Sequence, residues 1–110
     1  MSYQIVNAGD VEARLGILRP VGRELGVTAF GISHIELPPG GQNLLHDHSS
    51  DGQEEVYAVI QGQGRIRVGG KEHELSPGDF VFVSSEEQRQ LAAGPEGAVW
   101  IAVGGSAASA

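Results

Sequence analysis

Two histidines one residue apart, His46 and His48, lie in the segment Leu44-Leu45-His46-Asp47-His48, and two adjacent carboxylates, Glu54 and Glu55, follow a polar loop from Ser49 to Gln53. In an extended segment successive side chains point to opposite sides, so His46 and His48 share a face and Asp47 takes the other. Imidazole nitrogens and a carboxylate oxygen are the ordinary donors for a first-row divalent cation. Two histidines and one carboxylate make a facial set that leaves positions open for substrate or oxygen. The residue types therefore mark a candidate metal site. The competing expectation is a metal-free pocket whose histidines are hydrogen-bonded to carboxylates and water.

Such a site needs a rigid frame, and the composition points to one built of strands. Seventeen glycines and five prolines in 110 residues imply many turns, which favours short strands in a sandwich or barrel. Residues 3 to 6 read as an edge strand. Residues 7 to 26 read as an irregular arm with a short strand or turn around Leu15 to Leu18, and no strong helix is expected anywhere. Val27 to Leu37 reads as a long strand, stopped by Pro38-Pro39-Gly40-Gly41 because prolines cannot donate to a ladder. Glu54 to Gln61 reads as a strand ended by Gly62-Gln63-Gly64. Arg65 to Val68 and Lys71 to Leu75 flank Gly69-Gly70, a two-residue loop suited to a primed turn. That register pairs Arg67 with Glu72 and Arg65 with Glu74 on one solvent face. Phe80 to Val83 is apolar on both faces and reads as a central strand. Gln88 to Ala93 and Ala98 to Val103 are the last strands, separated by a turn at Gly94 to Gly97 and followed by a frayed tail from Gly104 to Ala110. Trp100 and the phenylalanines are expected in the core. Eight or more short strands predict an all-β fold, a small antiparallel β-barrel or jelly roll.

The same composition narrows the partners. There is no cysteine, so disulfides and thiolate metal sites are excluded. A net charge of -7 argues against nucleic acid and anionic membranes. No apolar run reaches transmembrane length and no signal-peptide pattern opens the chain, so the expected location is the cytoplasm. No nucleophile elbow, phosphate loop or dinucleotide fingerprint occurs.

Residues 40 to 62 resemble the first motif of the cupin superfamily: Gly40, five residues, His46-Asp47-His48, a loop, Glu55, six residues, Gly62. The loop between His48 and Glu55 is longer than usual. The spacing to Gly62 selects Glu55 over Glu54, and alternation agrees, since Glu55, Tyr57 and Val59 share a face. Ser76-Pro77-Gly78-Asp79 and the strand after it are similar to the second motif, which normally ends in a histidine; the corresponding position here is Arg89. An arginine remains protonated and cannot ligate a cation.

The resemblance implies a double-stranded β-helix barrel over residues 27 to 103 and an N-terminal arm, residues 1 to 26, that contacts a partner in a homodimer. It also implies a divalent metal (Mn, Fe, Ni or Zn) on His46, His48 and Glu55. Arg89, Tyr57 and Glu54 are then the candidate contacts for a small polar or anionic ligand. Metal-assisted oxidation or isomerisation is the catalytic form of this expectation. A metal-free, non-catalytic ligand-binding module is the alternative. Of the other histidines, His34 is expected to be structural or at an interface, and His73, opposite Ile66 on the hairpin, to be no ligand.

Overall fold

Strand boundaries in the computed structural model, which describes residues 2–107, follow the proline and glycine punctuation only in part. The elements are β1 (Leu18–Arg19), α1 (Val21–Leu25), β2 (Gly31–Leu37), β3 (Gln53–Val68), β4 (Lys71–Leu75), β5 (Phe80–Val83) and β6 (Arg89–Ser106), with a 3-10 turn at Ala8–Asp10. All pairings are antiparallel, in the order β1-β2-β6-β3-β4 with β5 beside β3. No helix among the described residues is long and apolar enough to cross a membrane.

The two long strands dominate. β3 runs 16 residues and β6 runs 18, well beyond the five or six residues typical of a strand. They pair along nearly their whole length, from Gln53↔Ser106 to Val68↔Arg89, with register shifts between Val59 and Gln61 and between Gly62 and Gly64. Gly62-Gln63-Gly64 was expected to end a strand, and Gly94 to Gly97 to separate two. Instead the chain bends at these glycines without leaving the ladder. The bend needs them: Gly62 and Gly97 have φ of +79° and +82°, and a Cβ on Gly62 would collide with the Gly97 carbonyl. Bent in this way, one strand pair serves both walls of a barrel. Ile35, Leu37, Tyr57, Val59, Ile66, Leu91 and Trp100 fill the space between.

The hairpin follows the sequence reading. Gly69 and Gly70 have φ of +55° and +84°, a primed turn, and Arg67↔Glu72, Ile66↔His73 and Arg65↔Glu74 are in register. Arg67 and Glu72 form an exposed pair at 3.3 Å, and Ile66 is fully buried.

Other expectations are corrected. Tyr3 to Val6 forms no strand. α1 is a single helical turn that Gly26 stops in the left-handed region, too short to register as periodicity. β2 begins at Gly31 rather than Val27. β5 is not central: among the described residues it pairs with β3 alone. Alternation along β5 turns Phe80 and Phe82 outward, 74% and 60% exposed, opposite Val81 and Val83, and they join Phe30, Val56 and Ile60 as exposed apolar side chains rather than core. Gly104 to Ser106 belongs to β6 rather than to a frayed tail; residues 108–110 lie outside the described residues.

The approach to β1 contains an unusual turn. Arg14 and Leu18 close a hairpin, and the turn at its tip, closed by Ile17 N–H to Arg14 O at 3.0 Å, has Leu15 and Gly16 at its centre with φ of +52° and +73°. A leucine in the left-handed region costs about 1–2 kcal/mol.

Gly64 gives a sharp test of the packing. A Cβ there would lie 2.5 Å from Trp100 Cζ2 and 2.7 Å from Val59 Cγ2. Gly64→Ala is expected to destabilise the fold by about 1–3 kcal/mol, the usual cost of overpacking, measured as a lower midpoint in denaturant unfolding.

Candidate metal centre

The segment carrying the histidines lies against the first half of β6. Backbone bonds from Asn43 N to Leu91 O, His46 N to Arg89 O and Arg89 N to His46 O hold it there, and His48 N donates to Ser85 O. The Asn43 side chain substitutes for one ladder acceptor by receiving Leu91 N–H at 2.8 Å. His46 and Arg89 are paired residues on neighbouring extended segments, so both point into the barrel. β3 brings Glu55 in from the other side. Its pairing with Gly104 of β6 matters, because a Cβ at Gly104 would lie 3.0 Å from Glu55 Cγ and 3.3 Å from Oε2. Gly104 leaves the room that the carboxylate occupies.

His46, His48 and Glu55 thereby offer three ligand atoms within 4.8 Å of one another. Glu55 Oε1 is 3.1 Å from His48 Nε2 and 4.0 Å from His46 Nε2. Ligands bonded to a common first-row cation at about 2.1 Å lie roughly 3–3.5 Å apart, so the spacing is near that required.

The hydrogen bonds fix which nitrogens are free. His46 Nδ1 is 2.8 Å from the Leu44 carbonyl, which can only accept, so Nδ1 carries the proton. His48 Nδ1 is 3.2 Å from both oxygens of Asp51, which likewise only accept. Asp51 is held ionised below the usual carboxylate range, first by the Gln53 N–H and then by His48. Each ring therefore turns its Nε2, the atom that would carry the lone pair for a cation, toward the Glu55 oxygens. Opposed lone pairs repel unless a proton or a cation lies between them. Anchoring Nδ1 on an acceptor is the usual way a protein orients a metal-bound histidine. The donor set fits a divalent cation.

The fourth position is arginine, and it is engaged. Arg89 is fully buried. Its Nε donates to the Tyr57 hydroxyl at 3.2 Å and its Nη1 to the Glu87 carbonyl at 2.6 Å. Nη2 lies 3.5 Å from Glu55 Oε1 and has no hydrogen-bond partner among the described residues. The Tyr57 hydroxyl in turn donates to Glu55 Oε1. Burial, and then the Glu55 charge, push the Tyr57 phenol well above its ordinary value, so it remains a donor at neutral pH. Glu55 is thus shared between the histidines and an Arg89–Tyr57 clamp.

The structure brings together five of the six residues singled out from the sequence. Glu54 lies on the outer face of β3, in a hollow with Phe30, Val56 and Phe82. His34 is half-buried on β2 opposite Arg19 and Ile101, and His73 is exposed on the hairpin, both away from the centre. Asp79 accepts from Ser76 N–H at 2.8 Å and closes the turn before β5. Sequence reasoning missed Asp51 and Gly104. The His48-x-x-Asp51 spacing was a usable signal for the first. Nothing local marks Gly104, whose role arises only from pairing with Glu55.

A strand-built barrel with two anchored imidazoles and a carboxylate at one mouth is the architecture of metal-site β-barrels. The Cupin domain model matches residues 33–104, and the chain belongs to the cupin family. Over 59 residues it is 32% identical to the oxalate-binding protein of Thermotoga maritima, covering 54% of this chain and 47% of that protein. The match thus spans about half the length of that relative. A cupin protein from Bacteroides fragilis superposes with a TM-score of 0.83 at 23% identity, over 100% of this chain and 89% of that one. A sugar phosphate isomerase from Silicibacter pomeroyi gives a TM-score of 0.77 at 21% identity, over 94% and 76% of the two chains. At these identities the likeness to the solved structures is one of fold.

Tyr57→Phe tests the clamp. Removing the hydroxyl leaves the buried Arg89 Nε–H without its acceptor, and a loss of about 1–3 kcal/mol is expected, read from urea unfolding of the two proteins side by side.

Proposed function

We propose that the protein binds a divalent metal on His46, His48 and Glu55 and a small polar or anionic ligand beside it. The observation that carries this reading is the pair of imidazoles whose Nδ1–H groups are tied to Leu44 O and Asp51, leaving both Nε2 atoms turned toward Glu55. A metal held there would supply Lewis acidity to a coordinated ligand oxygen. The oxalate-binding relative and the isomerase with the same fold are compatible with a small oxygen-rich ligand.

In this reading Arg89 balances the Glu55 charge and holds the Tyr57 hydroxyl against the carboxylate. Ligand contact then falls to the Tyr57–Arg89 side of the centre, whereas Glu54 faces outward. The metal-free module is favoured by one observation: Tyr57 and Arg89 already satisfy Glu55 without a cation. A homodimer reached through residues 1 to 26 accompanies either reading. Tyr3 and Ile5 support it, 74% and 87% exposed on an arm outside the strands.

Metal analysis of tag-free protein decides between the two. One metal per chain, lost in His46→Ala, is expected; substoichiometric metal would leave the metal-free module. Asp51→Asn weakens the anchoring of His48 and is expected to lower Mn2+ or Zn2+ affinity about 10- to 100-fold, by calorimetric titration. Arg89→His replaces a fixed positive charge by a donor and is expected to tighten the metal by about tenfold or more. The same variant should melt at a lower temperature, because Glu87 O and Tyr57 lose their partner.

A further inference from the structure

A cleft of about 620 Å3 opens between the segment carrying His46 and the hairpin that enters β1. Its size is that of a small-molecule site. Leu15, Leu44 and Leu45 line it and are 84%, 71% and 50% exposed. One exposed leucine is ordinary, but three on one concave surface mark a binding surface. His46 lines the same cleft, which therefore adjoins the candidate metal centre.

Two observations concern the occupant. Leu15 stands at the first central position of a primed turn, with φ of +52°, where asparagine or glycine would sit without strain. Strain of this kind persists where the side chain serves a purpose, and here it holds a leucine against the cleft. Arg14 is the cation lining the cleft, and no Asp or Glu lines it. Arg14 and Leu15 also border a neighbouring hollow with Glu12 and Glu24, but the Arg14 guanidinium forms no ion pair with either carboxylate, which leaves its charge free for a ligand. In a chain of net charge -7 this is a local positive site beside an apolar surface.

We propose that the cleft binds an amphiphilic small anion, an aliphatic carboxylate being the simplest, with its chain across Leu15, Leu44 and Leu45 and its anionic group at Arg14. The cleft is a second ligand surface that adjoins the proposed centre through His46 rather than the Tyr57–Arg89 side of it; the proposal does not rest on the metal, and it leaves the dimer contact of residues 1 to 26 to the exposed Tyr3 and Ile5 rather than to Arg14 and Leu15.

Octanoate is the probe, with acetate, oxalate and octanol as controls, titrated into the full-length protein and followed by amide NMR. Octanoate is expected to bind at least about tenfold more tightly than acetate or oxalate, because each buried methylene adds affinity. Arg14→Gln should weaken octanoate and leave octanol unchanged. Leu15→Asn should raise the melting temperature, by relieving the turn, while weakening octanoate about fivefold or more. The rise in melting temperature separates lost binding from misfolding. Equal binding of octanoate and acetate, or octanoate binding unaffected by both substitutions, would overturn the proposal. So would loss of a dimer in Leu45→Gln with no octanoate binding in the parent, which would assign the cleft to a second copy of the chain. Mn2+ uptake is measured on the same preparations. Octanoate binding without Mn2+ uptake keeps this proposal and removes the metal; Mn2+ uptake without octanoate preference does the reverse.

Discussion

The antiparallel ladder between β3 and β6 is the constraint on which everything else depends. It places Glu55 opposite Gly104, Tyr57 opposite Ala102 and Arg89 opposite Val68 in one ladder, with register shifts where it bends. Because the ladder bends at Gly62 and Gly97 instead of breaking, the same two strands supply residues to both ends of the barrel. A shift of one residue would turn Glu55 outward and Glu54 inward, since side chains alternate with a period of two. The Glu55 carboxylate therefore reaches the histidines by virtue of a register fixed mainly by apolar pairs such as Val59↔Trp100 and Ile66↔Leu91.

The site built on that ladder divides one carboxylate between two claims. Tyr57 and Arg89 hold Glu55 from below, while His46 and His48 face it from the barrel mouth. Burying a guanidinium is tolerable only if its charge and donors are met. The Tyr57 oxygen and the Glu87 carbonyl accept from Nε and Nη1, and the Glu55 carboxylate, 3.5 Å from Nη2, balances the charge. The arginine at the fourth position is thus part of the fold as well as of the site.

Two surfaces frame the centre and answer to different physics. The outer face of β3 and β5 is apolar because alternation puts Phe80 and Phe82 there, opposite the inward Val81 and Val83. The cleft beside His46 is apolar because three leucines are held open, one of them in a backbone conformation leucine disfavours. The first is a consequence of strand alternation; the second carries a stability cost of its own.

By itself, the sequence determined the class of fold, the Gly69-Gly70 hairpin with its register, and the shared face of His46 and His48. These depend on turn chemistry and alternation, which act over a few residues and can be read locally. Glu55 and Arg89 were legible through motif spacing. The uninterrupted β3 and β6 were not, because Gly62 and Gly97 look like chain breaks until a partner strand shows that they are bends. Nor was the edge position of β5, since Phe80 to Val83 is apolar on both faces whether one neighbour covers it or two. Only the tertiary structure decided that Asp51 and the Leu44 carbonyl fix the imidazole tautomers, that Gly104 makes room for Glu55, and that Arg89 is locked to Tyr57. Each of these joins residues by direction and distance in space, and a hydrogen bond or a steric gap of that kind leaves no trace in composition or period.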